Sequence, residues 1–131
     1  MREIKFRAWD KKENKMFQVF SITLNEDGTL RYVFYWDRYP MLKDKDVELM
    51  QWTGLQDTNG QDIYEGDIIS EDPSVWNGHF YYFIVNMRDG CWEAKSTIPL
   101  DKNARGCLLF TIKNPKVEGN KFENPELIEE E

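Results

Sequence analysis

A mostly β fold follows from three observations. Apolar and polar residues alternate with a period of two over several short runs, the pattern of a half-buried strand. Glycine-bearing turns cut those runs into lengths of about eight residues. β-branched and aromatic residues are abundant, with five Trp, six Tyr and eight Phe making 15% of the chain aromatic. The architecture predicted is an N-terminal β-meander over residues 1–40, packed on a small β-barrel over 47–117. A short C-terminal helix within 118–131 closes it.

In "REIKFRAWD", Ile4, Phe6 and Ala8 point one way and Glu3, Lys5, Arg7 and Trp9 the other, which marks the first strand. "DKKENK" is a charged turn with Asn14 near its tip, and "MFQVFSITL" is rich in β-formers. "NEDG" ends in Gly28, a residue suited to positive φ, and "TLRYVFYW" resumes as a strand. "DRYPMLKDKD" interrupts the meander. Pro40 forbids a central strand position, and the charges favour solvent, so this is read as a loop or short helix and as the best internal boundary.

"MQWTGLQDTNGQDIYEGDIIS", residues 50–70, then packs two turn signals between apolar patches. Asn59-Gly60 predicts a type I′ hairpin, which needs positive φ at both central residues. "EGD" turns the chain again, "EDPSVWNGH" is a polar loop, and "FYYFIVNM" is turned by "RDG" into "CWEAKS" as a second hairpin. "CLLFTIK" is a last apolar run, read as a strand because it is short and holds β-branched residues, with a buried helical turn as the alternative. In "ENPELIEEE", Asn124 is suited to cap a helix with Pro125 at its first position and Glu126 opposing the positive end.

Composition narrows the function classes. The formal charge is −7, unevenly spread: residues 1–18 hold six cations against three anions, and residues 118–131 hold six Glu against Lys121. An acidic whole repels a phosphate backbone, which disfavours nucleic acid except at the basic amino-terminal strand. Opposite charge at the two ends favours subunits or termini meeting, weakly because salt screens it. Cys91 and Cys107 lie without a Cys-x-x-Cys, the first residues have no apolar core of leader length, and the longest apolar run is far short of a membrane span. Together these predict reduced core thiols in a cytoplasmic protein with no membrane segment.

Asp57, Asp62, Glu65 and Asp67 pose the question of a site. Counted as a calcium loop from Asp57, Gly60 falls at position 4 and Ile68 at position 12, so the ligand pattern fails. Asp and Asn beside Gly are what turns require, and the four are read as turn formers. Glu65 and Asp67 could act as an acid–base pair only if one were desolvated. His79 is the only histidine, and three Cys and His residues in all are too few for a structural zinc site. No phosphate-cradling glycine loop or nucleophile elbow is present. No catalytic residue, metal ligand or cofactor is therefore predicted.

"LMQWTGLQDTNGQDIYEGDII" resembles the central motif of the YopX family of small phage and prophage proteins. "MREIKFRAWDKKENKMF" is similar to that family's opening strand and charged turn, and "VEGNKFENPELIEE" to its closing segment. The likeness runs end to end in three blocks, with residues 71–115 matching only loosely. It implies a phage or prophage origin, expression in the bacterial host cytoplasm and a mostly β fold. It supplies no catalytic residues. The Gly66-Asp67-Ile68 step also looks like the first strand of SH3-like barrels, a likeness of fold alone.

The leading expectation is a non-enzymatic module that binds a phage or host protein or assembles with itself as a homo-oligomer. Its interaction surface is expected at Arg2, Lys5, Arg7, Trp9, Trp52 and Tyr64. The alternative is a nucleic-acid-binding accessory protein using the basic first strand and nearby aromatics. Against it, Trp36, Tyr39, Trp52, Tyr64, Trp76 and Tyr81 lie among acids, which suits core packing and protein interfaces better. An enzyme built on Glu65 and Asp67 is the third reading.

Overall fold

The computed structural model describes residues 3–35, 41–97 and 107–128. Eleven strands, β1 (Phe6–Asp10), β2 (Lys15–Leu24), β3 (Leu30–Tyr35), β4 (Met41–Lys43), β5 (Val47–Gln56), β6 (Asp62–Tyr64), β7 (Asp67–Ser70), β8 (Tyr82–Arg88), β9 (Cys91–Ser96), β10 (Cys107–Leu108) and β11 (Lys116–Asn120), build two antiparallel sheets. The first has the order β4-β3-β2-β1-β5-β6 and the second β10-β9-β8-β7-β11. Helical structure among the described residues is limited to four short 3₁₀ turns.

The chain divides into two compact units, Met1–Trp52 and Thr53–Glu131. The first unit contains the expected meander, β1 to β3, each strand paired with its neighbour in sequence. It runs past the boundary read at Pro40. Met41–Lys43, expected in a loop, pairs as a short edge strand with β3, and Val47–Gln51 pairs with β1. Three residues are too short a run to show period two, and an edge strand tolerates the charges that had marked this segment as solvent.

Alternation selects the core. Ala8 and Val33 are fully buried with Leu42 and Val47, and Phe17, Val19, Ile22, Leu30 and Leu49 pack against them. Ile4, expected on the same face, precedes β1 and is 66% exposed.

In the second unit Ile63, Ile69, Phe83, Val85, Ala94, Leu109 and Ile112 form the core, joined by partly buried Trp76, Tyr81, Trp92 and Val117. The sheet is open, with β10 and β11 as its edges, rather than a closed barrel. β11 was hidden in sequence because "KVEGN" is short, charged and glycine-bearing; its pairing with β7 shifts register between Val117 and Gly119. The apolar run after residue 106 is only briefly a strand. Leu109–Thr111 makes a 3₁₀ turn that points Leu109 into the core.

Three further expectations are corrected. The C-terminal helix is a single 3₁₀ turn, Pro125–Leu127, and Asn124 makes no side-chain cap to it. The Asn124 carboxamide oxygen instead accepts from the backbone N–H of Asn120 at 3.2 Å. Cys91, expected in the core, is exposed, because it begins β9 directly after a turn. The type I′ hairpin sits at Asp89-Gly90, with φ of 51° and 78° and Arg88 facing Cys91, not at Asn59-Gly60. Of the latter pair only Gly60 has positive φ, at 80°.

Candidate functional site

The register of β1 decides which expected surface residues meet. Phe6 faces Gln51 and Trp9 faces Glu48 across the β1–β5 ladder, so Lys5, Arg7 and Trp9 share one sheet face with Trp52, Met50 and Glu48. The Trp52 N–H donates to the Lys5 carbonyl at 2.9 Å, extending the ladder by one pair. Above that pair the Lys5 ammonium lies 4.4 Å from the centre of the Trp52 ring. Its charge also meets Glu3, at 3.4 Å. A cation over an indole face in partly solvated surroundings is worth about 0.5–1 kcal/mol, which offsets part of the cost of ordering the lysine.

Lys5, Arg7, Trp9 and Trp52 are all partly buried. Tyr64 does not join them: it belongs to β6 and is only 5% exposed, its backbone N–H held by the Asp67 carboxylate at 2.8 Å. Arg2 lies outside the described residues, as do Trp36 and Tyr39. Of the six expected surface positions, the fold thus brings four onto one face.

The carboxylates bind backbone. Asp57 is buried at 7% exposure and accepts three amides: Asn59 at 2.8 Å and Gln61 at 2.9 Å on Oδ1, and Val117 at 2.9 Å on Oδ2. Burial pushes its carboxyl upward, but the amides of Val117, Gln61 and Asn59 with the nearby Lys116 charge outweigh that and hold it below its ordinary value. Asp67 is 1% exposed and turns the chain at Gly66, while Asp62 accepts from the Gln56 amide at 3.2 Å. Asp67 is thus desolvated, as an acid–base role would require, but it caps the Tyr64 amide, and Glu65 beside it is only partly buried.

His79 is exposed, with its ring 6.4 Å from that of Tyr81. Among the described residues no three His, Cys, Asp or Glu side chains converge in a metal-binding group.

Sequence reasoning missed Glu71. It is 7% exposed, takes the Trp76 indole N–H on Oε1 and the Lys113 amide on Oε2, both at 2.9 Å, and so ties two loops of the second unit together. Asp72 beside it caps the 3₁₀ turn Pro73–Trp76 through the Ser74 amide; that bond and the Asn114 carboxamide hold its carboxyl below the ordinary value. The Asp-Pro step carried a signal for the cap. Nothing local marks Glu71, whose partners lie up to 42 residues away.

One opening remains on the first sheet. A groove of about 230 Å³ lies between residues 4–6 and β2, lined by Ile4, Phe6, Val19, Phe20 and Ile22 with Lys5 at its edge.

The family described as YopX protein matches residues 5–129. Among solved structures, protein EF1440 from Enterococcus faecalis superposes with a TM-score of 0.71 at 23% identity, covering 98% of this chain and all of its own. Protein yopX from Bacillus subtilis superposes with a TM-score of 0.62 at 19% identity, covering 95% of this chain and 98% of its own. Both likenesses are of fold. No curated protein matches.

Proposed function

Starting from a chain that belongs to the YopX family, we propose that it is a non-enzymatic interaction module that assembles with itself or with a protein partner, in the host cytoplasm of a phage- or prophage-bearing bacterium. The observation that supports this reading is the exposure of large apolar side chains. Phe110 is 73% exposed, Ile4 66%, Phe80 62%, Phe20 57% and Leu24 52%. Single exposed apolar residues are ordinary, but Ile4 and Phe20 line the same groove and Leu24 lies farther along the same strand. No helix among the described residues is long and apolar enough to cross a membrane.

Light scattering across a range of concentrations tests this. A mass that rises above 15.7 kDa with concentration supports self-association. A 15.7 kDa monomer throughout, together with no retention of any protein from induced host cells, refutes the module.

A second reading rests on the face shared by Lys5, Arg7, Trp9 and Trp52, which sets two cations beside two rings that could stack bases. Lys5→Ala with Arg7→Ala then weakens binding to single-stranded DNA and flattens its salt dependence. Absence of any retention on DNA or RNA at low salt removes this reading.

A further inference from the structure

We infer that the closing segment, residues 115–128, exchanges between two copies, each laying its β11 along the other's β7. This deepens the self-assembly reading and rests on it. β11 is the last of the described strands and an edge of the second sheet, so withdrawing it leaves β7 still paired with β8.

The hinge before it is strained. Ile112 is anchored in the core, and Lys113 is pinned on both sides: its N–H donates to Glu71 and its carbonyl accepts from Asp72, each at 2.9 Å. Asn114 follows, exposed and left-handed, with φ of 47°. Asn tolerates that region better than most residues, but the ring of Pro115 drives the residue before it toward extended backbone. Straightening Asn114 relieves both conflicts and gives up the exposed bond from its carboxamide to Asp72, 2.9 Å long. A short hinge under strain favours the exchanged form, in which it opens.

A second copy is the occupant because its closing segment is already shaped for the vacated edge. β11 meets β7 from Lys116–Ser70 to Asn120–Asp67, with a register shift between Val117 and Gly119 that an unrelated strand would not reproduce. Asp57 takes the Val117 N–H at 2.9 Å, and Thr58 donates its N–H and its hydroxyl to the Pro115 carbonyl. The Lys121 N–H reaches the Gly66 carbonyl at 3.0 Å. Each of these bonds links the segment to residues 57–70, which stay behind when it leaves. The bonds joining Asn120 to Asn124 and Glu123 lie within the segment and travel with it. Exchange therefore remakes this set across two copies, twice by symmetry, and returns Val117 to a core of the same composition.

Disulfide trapping on the full chain tests the exchange. Cys91→Ser and Cys107→Ser clear the background, and Ser70→Cys with Lys116→Cys sets two thiols directly opposite across the β7–β11 ladder. Monomer and dimer are separated by size exclusion and oxidised with oxidised glutathione. The dimer fraction should give covalent dimer on a non-reducing gel, and the monomer fraction internally linked monomer. A dimer fraction that yields internally linked monomer overturns the exchange and leaves self-assembly standing. Absence of any dimer in the wild type overturns self-assembly and the exchange with it. Because Ser70 is buried, Pro115→Ala supplies a second test outside the core. It keeps the carbonyl that Thr58 holds and frees Asn114 from the ring, so dimerisation should weaken about tenfold in sedimentation equilibrium. Dimerisation unchanged by Pro115→Ala overturns the exchange.

Discussion

Two turns of this molecule share a backbone and differ in everything else. In Asn25–Thr29 and in Asp57–Gln61 the first N–H reaches the fifth carbonyl at 2.8 Å and the fourth N–H the first carbonyl at 3.0 Å. In both the fourth residue is a glycine with positive φ, 89° at Gly28 and 80° at Gly60. Yet the acid of the first turn, Asp27, is exposed and holds only its own neighbour Thr29, through the hydroxyl at 2.6 Å and the amide at 3.0 Å. The acid of the second is buried and grips Val117, while Thr58 donates its N–H and its hydroxyl to the Pro115 carbonyl. Equal backbone geometry therefore yields a solvated hairpin tip in one unit and a clasp within the other.

The largest effect that could break this comparison is Asp57→Ala. It strips three amides of a charged acceptor, including one from a distant strand, and is expected to cost about 3 kcal/mol in urea unfolding. Asp27→Ala, at an exposed tip, should shift the unfolding midpoint far less than Asp57→Ala. Similar losses at both sites would show that the clasp contributes nothing beyond the turn.

Acid sharpens the same contrast. The folded Asp57 carboxyl lies below its ordinary value, so its stabilisation is complete above that value and is lost as pH falls through the folded one. Wild-type stability should therefore fall on acidification below about pH 4, and Asp57→Asn should fall less steeply over that window. Asp27 is also held low, first by the Thr29 hydroxyl and then by its amide, but solvent screens it and Asp27→Asn should leave the acid limb unchanged.

A moderate effect is expected where the closing segment is tightest. A Cβ on Gly119 would stand 2.4 Å from the Asn124 side-chain oxygen, so Gly119→Ala should cost about 1–3 kcal/mol. Most of that clash should be relieved in the double variant with Asn124→Gly, which removes the Asn124 Cβ as well, as a double-mutant cycle would read. The smallest effect tests the sameness of the two turns. Gly28→Ala and Gly60→Ala meet no atom within 4 Å, so both pay only for positive φ and should agree, near 1 kcal/mol each.

These contrasts explain what was legible. Alternation in "FRAWD" and the turn at Asp89-Gly90 act within a few residues, and both strands and hairpin were readable from them. Four of the six surface positions fell on one face because period two sets Lys5, Arg7 and Trp9 there and the β1–β5 register adds Trp52. Tyr64 escaped because β6 is three residues long, too short for alternation to show which residues are buried, and Cys91 because a strand's first residue can face out whatever its chemistry. The Asn59-Gly60 signal was real but misjudged by one residue: closure by Asp57 and Gln61 makes a three-residue loop ending in a left-handed glycine. Asn124 had the chemistry of a cap, and the nearby Asn120 amide captured it first.

The pairing of β7 with β11 carries a consequence for how the protein is made. All of the first unit's strands except the end of β5 lie within residues 1–52, so that unit can fold once those residues have emerged from the ribosome and while the remainder is still being synthesised. β7 has no such freedom, since its outer neighbour comes from Lys116–Asn120. During translation the nascent chain must hold one edge of its second sheet in waiting for more than a third of its length, and that interval is when a chaperone or another nascent copy has its opportunity to bind.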